Sequence, residues 1–434
     1  DIDAIPIDDA KAYELFSRGD TTGIFQFESD GMKKYLSELK PTQLEDLVAM
    51  NALYRPGPMQ YIPQFIDRKH GREKVSYDHP MMAKYLKNTY GICVYQEQVM
   101  LLSRLLGGFT GGQSDTLRKA MGKKQLDTME KLKVQFEAGC LANAEFMAAP
   151  QCATEEAAKK LISKIWDDWR NFASYAFNKS HAVCYAYIAY QTGYLKAHYP
   201  AEFMCAQISS EIGNFEKLPW FVSESAAMGL KILSPDVNRS QVRFSPVDGG
   251  ILYGLAGIKN VGVPVAEAIV GEREANGPYA SFTEFIERLP QSIAGKRSLE
   301  ALIKSGALDC FGHHRAKLLG NMEWALSCAA EKRKEKASGQ GNLFDMLGGD
   351  TIGSVEELAE LPMWSDKDRL NFEREFLGIF LSGHPLDRYA KIIETWQTFP
   401  VAKAGGVKCG ASSNVRIAGL VESVMPRVRR FVNE

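Results

Sequence analysis

Leu255-Ala-Gly-Ile-Lys-Asn-Val-Gly262, followed after two intervening residues by Val265-Ala-Glu-Ala-Ile269, decides the fold of the second half of this chain. The stretch places a Gly-x-x-x-x-Gly turn between two short helical patterns, with apolar Ile258 and Val261 facing inward, and so predicts a helix-hairpin-helix. In such a turn, backbone N–H groups hold a phosphate without reading bases. Gly257, Ile258, Lys259, Asn260, Val261 and Gly262 are therefore a candidate DNA contact. Leu302-Ile-Lys-Ser-Gly-Ala-Leu308 reads as a second, degenerate hairpin of a tandem pair. Either turn also reads as a purely structural joint between helices.

Around this core the pattern is mainly α with short β elements, in more than one domain. Upstream, Ala157-Ala158, Leu161-Ile162, Ile165-Trp166 and Trp169 form an apolar stripe at helical spacing, with Thr154 as its N-cap. A second helix is predicted from Ser180 through Leu195 to His198, ended by Pro200. Near residue 230 the texture changes to short strands around Leu230-Lys-Ile-Leu233 and Ile251-Leu-Tyr253, which sets a domain boundary there. Glu331-Lys-Arg-Lys-Glu-Lys336 leads into a Gly-rich stretch expected to be an exposed loop. Leu370, Phe372, Phe376 and Leu377 mark a further helix before Gly383-His-Pro385. Asn414 to Val424 alternates like a half-buried strand with no partner after it, and the first residues lack an initiating methionine, so the chain is expected to be a fragment.

The composition excludes several classes. The 434 residues are 45% hydrophobic, enough for real cores, and 52 Lys+Arg against 53 Asp+Glu leave no global field for a polyanion. A nucleic-acid surface must be local. The eight cysteines are scattered without a C-x-x-C pair, which points to reduced thiols that mostly fill cores. No apolar run is long enough for a membrane span, and the acidic start is unlike a signal peptide, so the expected compartment is the cytoplasm.

Three further stretches carry polar chemistry. Leu117-Arg-Lys-Ala-Met-Gly-Lys-Lys124 follows a double-glycine loop. If a helix starts at Asp115, Arg118 and Lys119 lie near its N-terminus, where free N–H groups favour an anion such as a triphosphate. Lys123 and Lys124 add charge. A solvated basic helix face explains the same pattern. Phe177-Asn-Lys-Ser-His181 sets Asn178, Lys179, Ser180 and His181 between two apolar stretches. Ser180 is read as a helix cap, with the others facing a ligand, although a capped turn alone also fits. In Gln340-Gly-Asn-Leu-Phe344, an apolar pair stands inside a polar loop, as in a short peptide that docks Leu343 and Phe344 into a partner's pocket with Gln340 at its rim. The alternative is that both tuck onto their own domain. Two-metal phosphoryl transfer needs converging carboxylates, and the D-x-D at the start, Asp1-Ile-Asp3 with Asp8-Asp9 after it, reads as surface.

Thr22-Gly-Ile-Phe-Gln-Phe-Glu-Ser29, Arg55-Pro-Gly-Pro58, Phe65 to Gly71, Tyr90-Gly-Ile-Cys-Val-Tyr-Gln-Glu-Gln98, Leu117 to Lys124, Phe177 to His181 and Leu195-Lys-Ala-His-Tyr-Pro-Ala-Glu-Phe203 together resemble the alpha subunits of bacterial DNA polymerase III. The resemblance runs almost throughout the chain. It implies polymerase fingers over 1–230, a clamp-binding domain with tandem helix-hairpin-helix over 231–400, and the truncated start of an OB domain over 401–434. It implies a DNA-directed DNA polymerase working in replication with primer-template DNA, dNTP, the ring-shaped sliding clamp (beta subunit) and other subunits of the holoenzyme. The full-length enzyme would use Mg2+ on palm carboxylates outside this chain, leaving no metal for the fragment and no extension activity by it alone.

By the same resemblance Arg118 matches the arginine that contacts the incoming triphosphate, and Gln340, Leu343 and Phe344 match the clamp-docking peptide. Lys119 stands where many relatives carry a second arginine, which keeps the charge but loses the bidentate fork. Pro426 to Glu434 is shorter than the family's strand-turn-strand continuation, and one strand cannot close an OB barrel. Two other readings compete. A non-catalytic DNA- and clamp-binding adaptor describes the isolated chain equally well. A helix-hairpin-helix glycosylase wants an aspartate after the hairpin, yet none occurs between Asp248 and Asp309.

Overall fold

The computed structural model describes residues 1–123, 125–172, 177–293, 295–338, 358–396 and 416–421. The chain divides into two compact units, Asp1–Pro200 and Ala201–Glu434. The division falls upstream of the change in sequence texture at 230, for a packing reason. Met204, Cys205 and Ile208 of the helix Pro200–Ser210, and Leu218 and Phe221 of Leu218–Ala227, are buried in the core of the second unit.

The described part of the first unit is helical. Its predicted stripe is the helix Glu155–Phe172, which buries Ala158, Ile162, Ile165, Trp166 and Trp169. The Thr154 hydroxyl accepts the Ala157 N–H at 3.1 Å, the expected cap. Trp166 and Trp169 meet Phe136, with ring centroids 5.4 and 5.0 Å apart. A second core forms where the helix Lys179–His198 packs on Ala10–Arg18 and Leu44–Leu53. There the buried Lys196 ammonium donates to the carbonyls of Asp20 at 2.8 Å and Thr22 at 2.9 Å. Pro200 does end the helix before it, and it also opens the next. Asp9 is a structural cap as well as a surface residue. It accepts the Ala12 N–H at 2.7 Å and lies 3.0 Å from His198 Nε2. Burial pushes its carboxyl up, but those two partners hold it below the ordinary value.

After the helices Pro200–Ser210 and Leu218–Ala227, the second unit forms a three-stranded sheet in the order β1-β3-β2: β1 Lys231–Leu233, β2 Ser245–Val247 and β3 Gly250–Leu252. Ile251 pairs with Ile232 on parallel β1 and with Pro246 on antiparallel β2. The helices Val263–Asn276, Phe282–Arg288 and Lys296–Ser305 follow. The polar run Glu331 to Lys336 belongs to the helix Met322–Ser338, and the Gly-rich stretch after it, expected to be a loop, lies outside the described residues. The predicted helix near 370 is Asp366–Leu377, capped by Ser365 and by Gly378 in the left-handed region. Residues 416–421, expected within an OB strand, carry no strand, because no neighbour pairs with them among the described residues. The rest of that segment lies outside the described residues.

Of the seven described cysteines, none in a disulfide, Cys140, Cys152 and Cys205 are buried while Cys184 and Cys310 are exposed, so the expectation of core fillers holds only in part. Among the described residues no helix is long and apolar enough to cross a membrane.

Candidate nucleotide and DNA sites

Arg118 and Lys119 are not near a helix N-terminus. The helix runs Gly111–Gly122, opened by a reciprocal capping box between Thr110 and Gln113, so both cations sit in its second half. Gly111 and Gly112 read as loop from sequence, but the Thr110 cap recruits them into the first turn. The anion site made by free N–H groups therefore does not form around these residues. Asp115 holds both cations instead, with Arg118 Nε and Nη2 at 2.9 and 2.8 Å and Lys119 Nζ at 2.8 Å. The Lys119 and Arg118 hydrogen bonds keep the Asp115 carboxyl below its ordinary value. A triphosphate here would have to displace or share that carboxylate. Lys123 is the exposed C-cap of the same helix. Lys124 lies outside the described residues.

The Phe177–His181 segment is fixed from several sides. Asn178, and not Ser180, is the helix cap: its Oδ1 accepts the His181 N–H at 2.9 Å, so the helix begins one residue before Ser180. Gln96 N–H donates to Phe177 O at 2.9 Å, and Lys179 N–H to Glu97 Oε2 at 2.9 Å. Lys179 Nζ lies 5.5 Å from the Tyr95 ring centroid, and Lys179, Ser180 and His181 are exposed. Among the described residues no hydrogen bond or ring contact joins Asn178–His181 to Arg118 or Lys119. Their common support is the helix Gln96–Gly107, which receives the first motif at its N-terminus and packs on the helix Gly111–Gly122.

The hairpin forms as predicted. A short 3-10 turn, Leu255–Gly257, leads into Ile258 and Val261, both buried, while Lys259 and Gly262 are exposed and Asn260 takes φ 71°. Several turn N–H groups are used internally: Ile258 donates to Leu255 O at 3.1 Å, Val261 to Ile258 O at 2.9 Å and Lys259 to Phe376 O at 2.8 Å. The N–H groups of Asn260, Gly262 and Val263 have no acceptor among the described residues. They sit on the exposed turn and at the start of the helix Val263–Asn276, where an anion is favoured. A Cβ on Gly257 would meet Tyr253 at 2.9 Å, so that glycine serves packing. On Gly262 it would meet only Pro264 Cδ at 3.7 Å.

Sequence reasoning missed what supports this turn. Lys259 N–H and the Tyr253 hydroxyl, 2.9 Å from Leu377 O, take up carbonyls at the end of the helix Asp366–Leu377. In the second hairpin, Gly306 is the left-handed C-cap of the helix Lys296–Ser305, and a Cβ there would lie 2.2 Å from Arg315 Nη2. Arg315 is buried between Asp309, at 2.8 Å, and Glu373, at 3.0 Å. Glu373 Oε2 also accepts the N–H groups of Leu381 and Ser382, each at 3.0 Å. Burial raises the Glu373 carboxyl, and these donors with Arg315 bring it below its ordinary value. Gly383-His-Pro385 lines a cavity of about 680 Å³ with Arg369, Arg374 and Arg388, a grouping no local pattern announces. Gln340, Leu343 and Phe344 lie outside the described residues. Among the described residues no cluster of three or more His, Cys, Asp or Glu could hold a metal ion.

Comparison with known proteins fits this geometry. Residues 1–144 match a family model described as "Bacterial DNA polymerase III alpha subunit finger domain", and residues 229–318 one described as "Helix-hairpin-helix motif". A fingers segment followed by a helix-hairpin-helix is the class that the fold and these sites define. DNA polymerase III subunit alpha of Borreliella burgdorferi is 42% identical over 97% of this chain and 36% of its own length; that of Thermus aquaticus, 42% over 99% and 34%; that of Vibrio cholerae, 39% over 97% and 36%. The chain belongs to the family of bacterial DNA polymerase III alpha subunits, and it spans about a third of the length of the curated relatives it matches.

Proposed function

We propose that this chain supplies the fingers and the duplex-holding part of a replicative DNA-directed DNA polymerase. In this reading residues 1–230 act as fingers, 231–400 as the clamp-binding domain and 401–434 as the start of an OB domain. Arg118, Lys119, Lys123 and Lys124 draw the triphosphate of the incoming dNTP, with Asn178, Lys179, Ser180 and His181 presented beside the helix that carries both motifs. The hairpin Gly257–Gly262 holds phosphates of the primer-template duplex. Gln340, Leu343 and Phe344 dock on a sliding clamp, and other holoenzyme subunits complete the assembly. Mg2+ would be held by carboxylates outside the described residues. The cytoplasm is the compartment this reading implies.

The observation that carries the reading is the exposed turn with three unspent backbone N–H groups and an open face at Gly262. Backbone donors grip phosphates of any sequence, as a moving enzyme requires. Fluorescence anisotropy of the 434-residue chain on labelled duplexes tests it. Affinity is expected to be the same for unrelated sequences and to fall with salt. Gly262→Ala, whose methyl faces the phosphate side, is expected to weaken binding about tenfold, or about 1.4 kcal/mol. Duplex binding unchanged by Gly262→Ala would remove the hairpin from the site.

A further inference from the structure

Phe25 and Phe27 belong to one short motif and have opposite fates. Phe27 is fully buried, edge-on to Phe16 with ring centroids 5.8 Å apart. Phe25 is 53% exposed. Between them Gln26 holds φ 69°, a left-handed conformation that side chains other than glycine adopt at some expense. The strained residue thus keeps one ring in the core and the next one out in water.

Phe25 does not stand alone. Its ring lies 5.4 Å from Tyr185, Tyr185 lies 4.5 Å from His181, and His181 lies 5.3 Å from Phe177. His181 and Tyr185, four residues apart, share one face of the helix Lys179–His198, and Phe177, just before the N-cap Asn178, extends their row. The series ends at Arg55, whose guanidinium carbon sits 3.6 Å from the Phe177 ring centroid. None of these rings is fully buried, so the row is a surface rather than a core.

Arg55 supplies a second, independent observation. Its Nη2 donates to Asn51 O at 3.3 Å, but its Nε is buried with no hydrogen-bond partner. No carboxylate pairs with it among the described residues. A desolvated cation without a counter-ion is completed by an anion from elsewhere.

Four rings in series with a cation at one end fit an alternation of flat bases and phosphates. We propose that Phe25, Tyr185, His181, Phe177 and Arg55 form a stacking track for unpaired bases of single-stranded DNA, such as template not yet copied. That the occupant is DNA rests on the function proposed above; the track is separate from the duplex-holding hairpin. Stacking on aromatic side chains is sequence-tolerant, which suits a strand passing through.

The test compares wild type with Phe25→Ala and Tyr185→Leu in the 434-residue chain. The probes are an oligothymidylate carrying one 2-aminopurine and a labelled duplex. Wild type is expected to quench 2-aminopurine by stacking. Each variant should lose quenching and bind the single strand at least about fivefold more weakly, with duplex affinity unchanged. Circular dichroism verifies that Phe25→Ala, at an exposed ring, keeps the fold. Single-strand affinity unchanged in both variants, no quenching by wild type, or an equal loss on duplex would each overturn the track. Gly262→Ala separates the two ideas: loss of its duplex effect sinks the hairpin reading while the quenching result still judges the track.

Discussion

The two glycine turns of the second unit share a sequence pattern and differ in what covers the glycine. At Gly262 the space a side chain would fill is open, and the N–H groups around it are unspent. At Gly306 that space holds the Arg315 guanidinium, which is itself locked by Asp309 and Glu373. One turn leaves its outer face open, as the proposed phosphate site requires, and the other is a joint of the fold. The motif alone does not separate them. A buried arginine nine residues beyond the second glycine, and a glutamate on a helix much later, decide the matter.

The largest effect that sharpens this contrast is expected from Arg315→Ala. It strands the buried Glu373 carboxylate, and breaking a buried pair in this way costs about 3–5 kcal/mol. Urea unfolding of the second unit reads the loss, and an effect under about 1 kcal/mol would show that the pair is not a keystone of the second turn. Next comes Gly306→Ala, with φ 87° and no room for a methyl group. It should destabilise by about 1–3 kcal/mol, whereas Gly262→Ala, at φ −63°, should leave stability within about 1 kcal/mol. Equal losses at the two glycines would break the comparison. The smallest effect is on pH. The Glu373 carboxyl is held lower in the folded state, so its contribution is complete above the unfolded value of about 4.3 and disappears as pH falls through the folded value. Acid titration followed by circular dichroism should show wild type losing stability more steeply than Glu373→Gln over that range; parallel curves would place the group in water.

Much of the architecture is legible in the residues because burial repeats at a fixed period. The Ala158 to Trp169 stripe and the Ile258/Val261 pair both face cores as their spacing requires. The family motifs point to the family that the matched relatives show. What is not legible depends on partners distant in sequence or on competition between caps. Thr110 captures the helix start ahead of Asp115, which moves Arg118 and Lys119 away from the N-terminus. Asn178 takes the cap that Ser180 also offers: its Oδ1 accepts the His181 N–H and the helix begins at Lys179. The ring series from Phe177 to Tyr185 has a visible spacing of four, but Phe25 joins it from the far side of the chain. Nothing local foretells the docking of the helix Asp366–Leu377 on the first hairpin.

That docking carries a consequence for the order in which the molecule matures. Lys259 and Tyr253 close the end of a helix made more than a hundred residues later on the chain. Contacts of such separation form only after the entropy of closing the intervening loop has been met. As the chain leaves the ribosome, the hairpin can assume its local turn early, but its final support arrives only once residue 377 has emerged. A polypeptide interrupted before that point would carry every residue of the turn and lack the brace that holds it in shape.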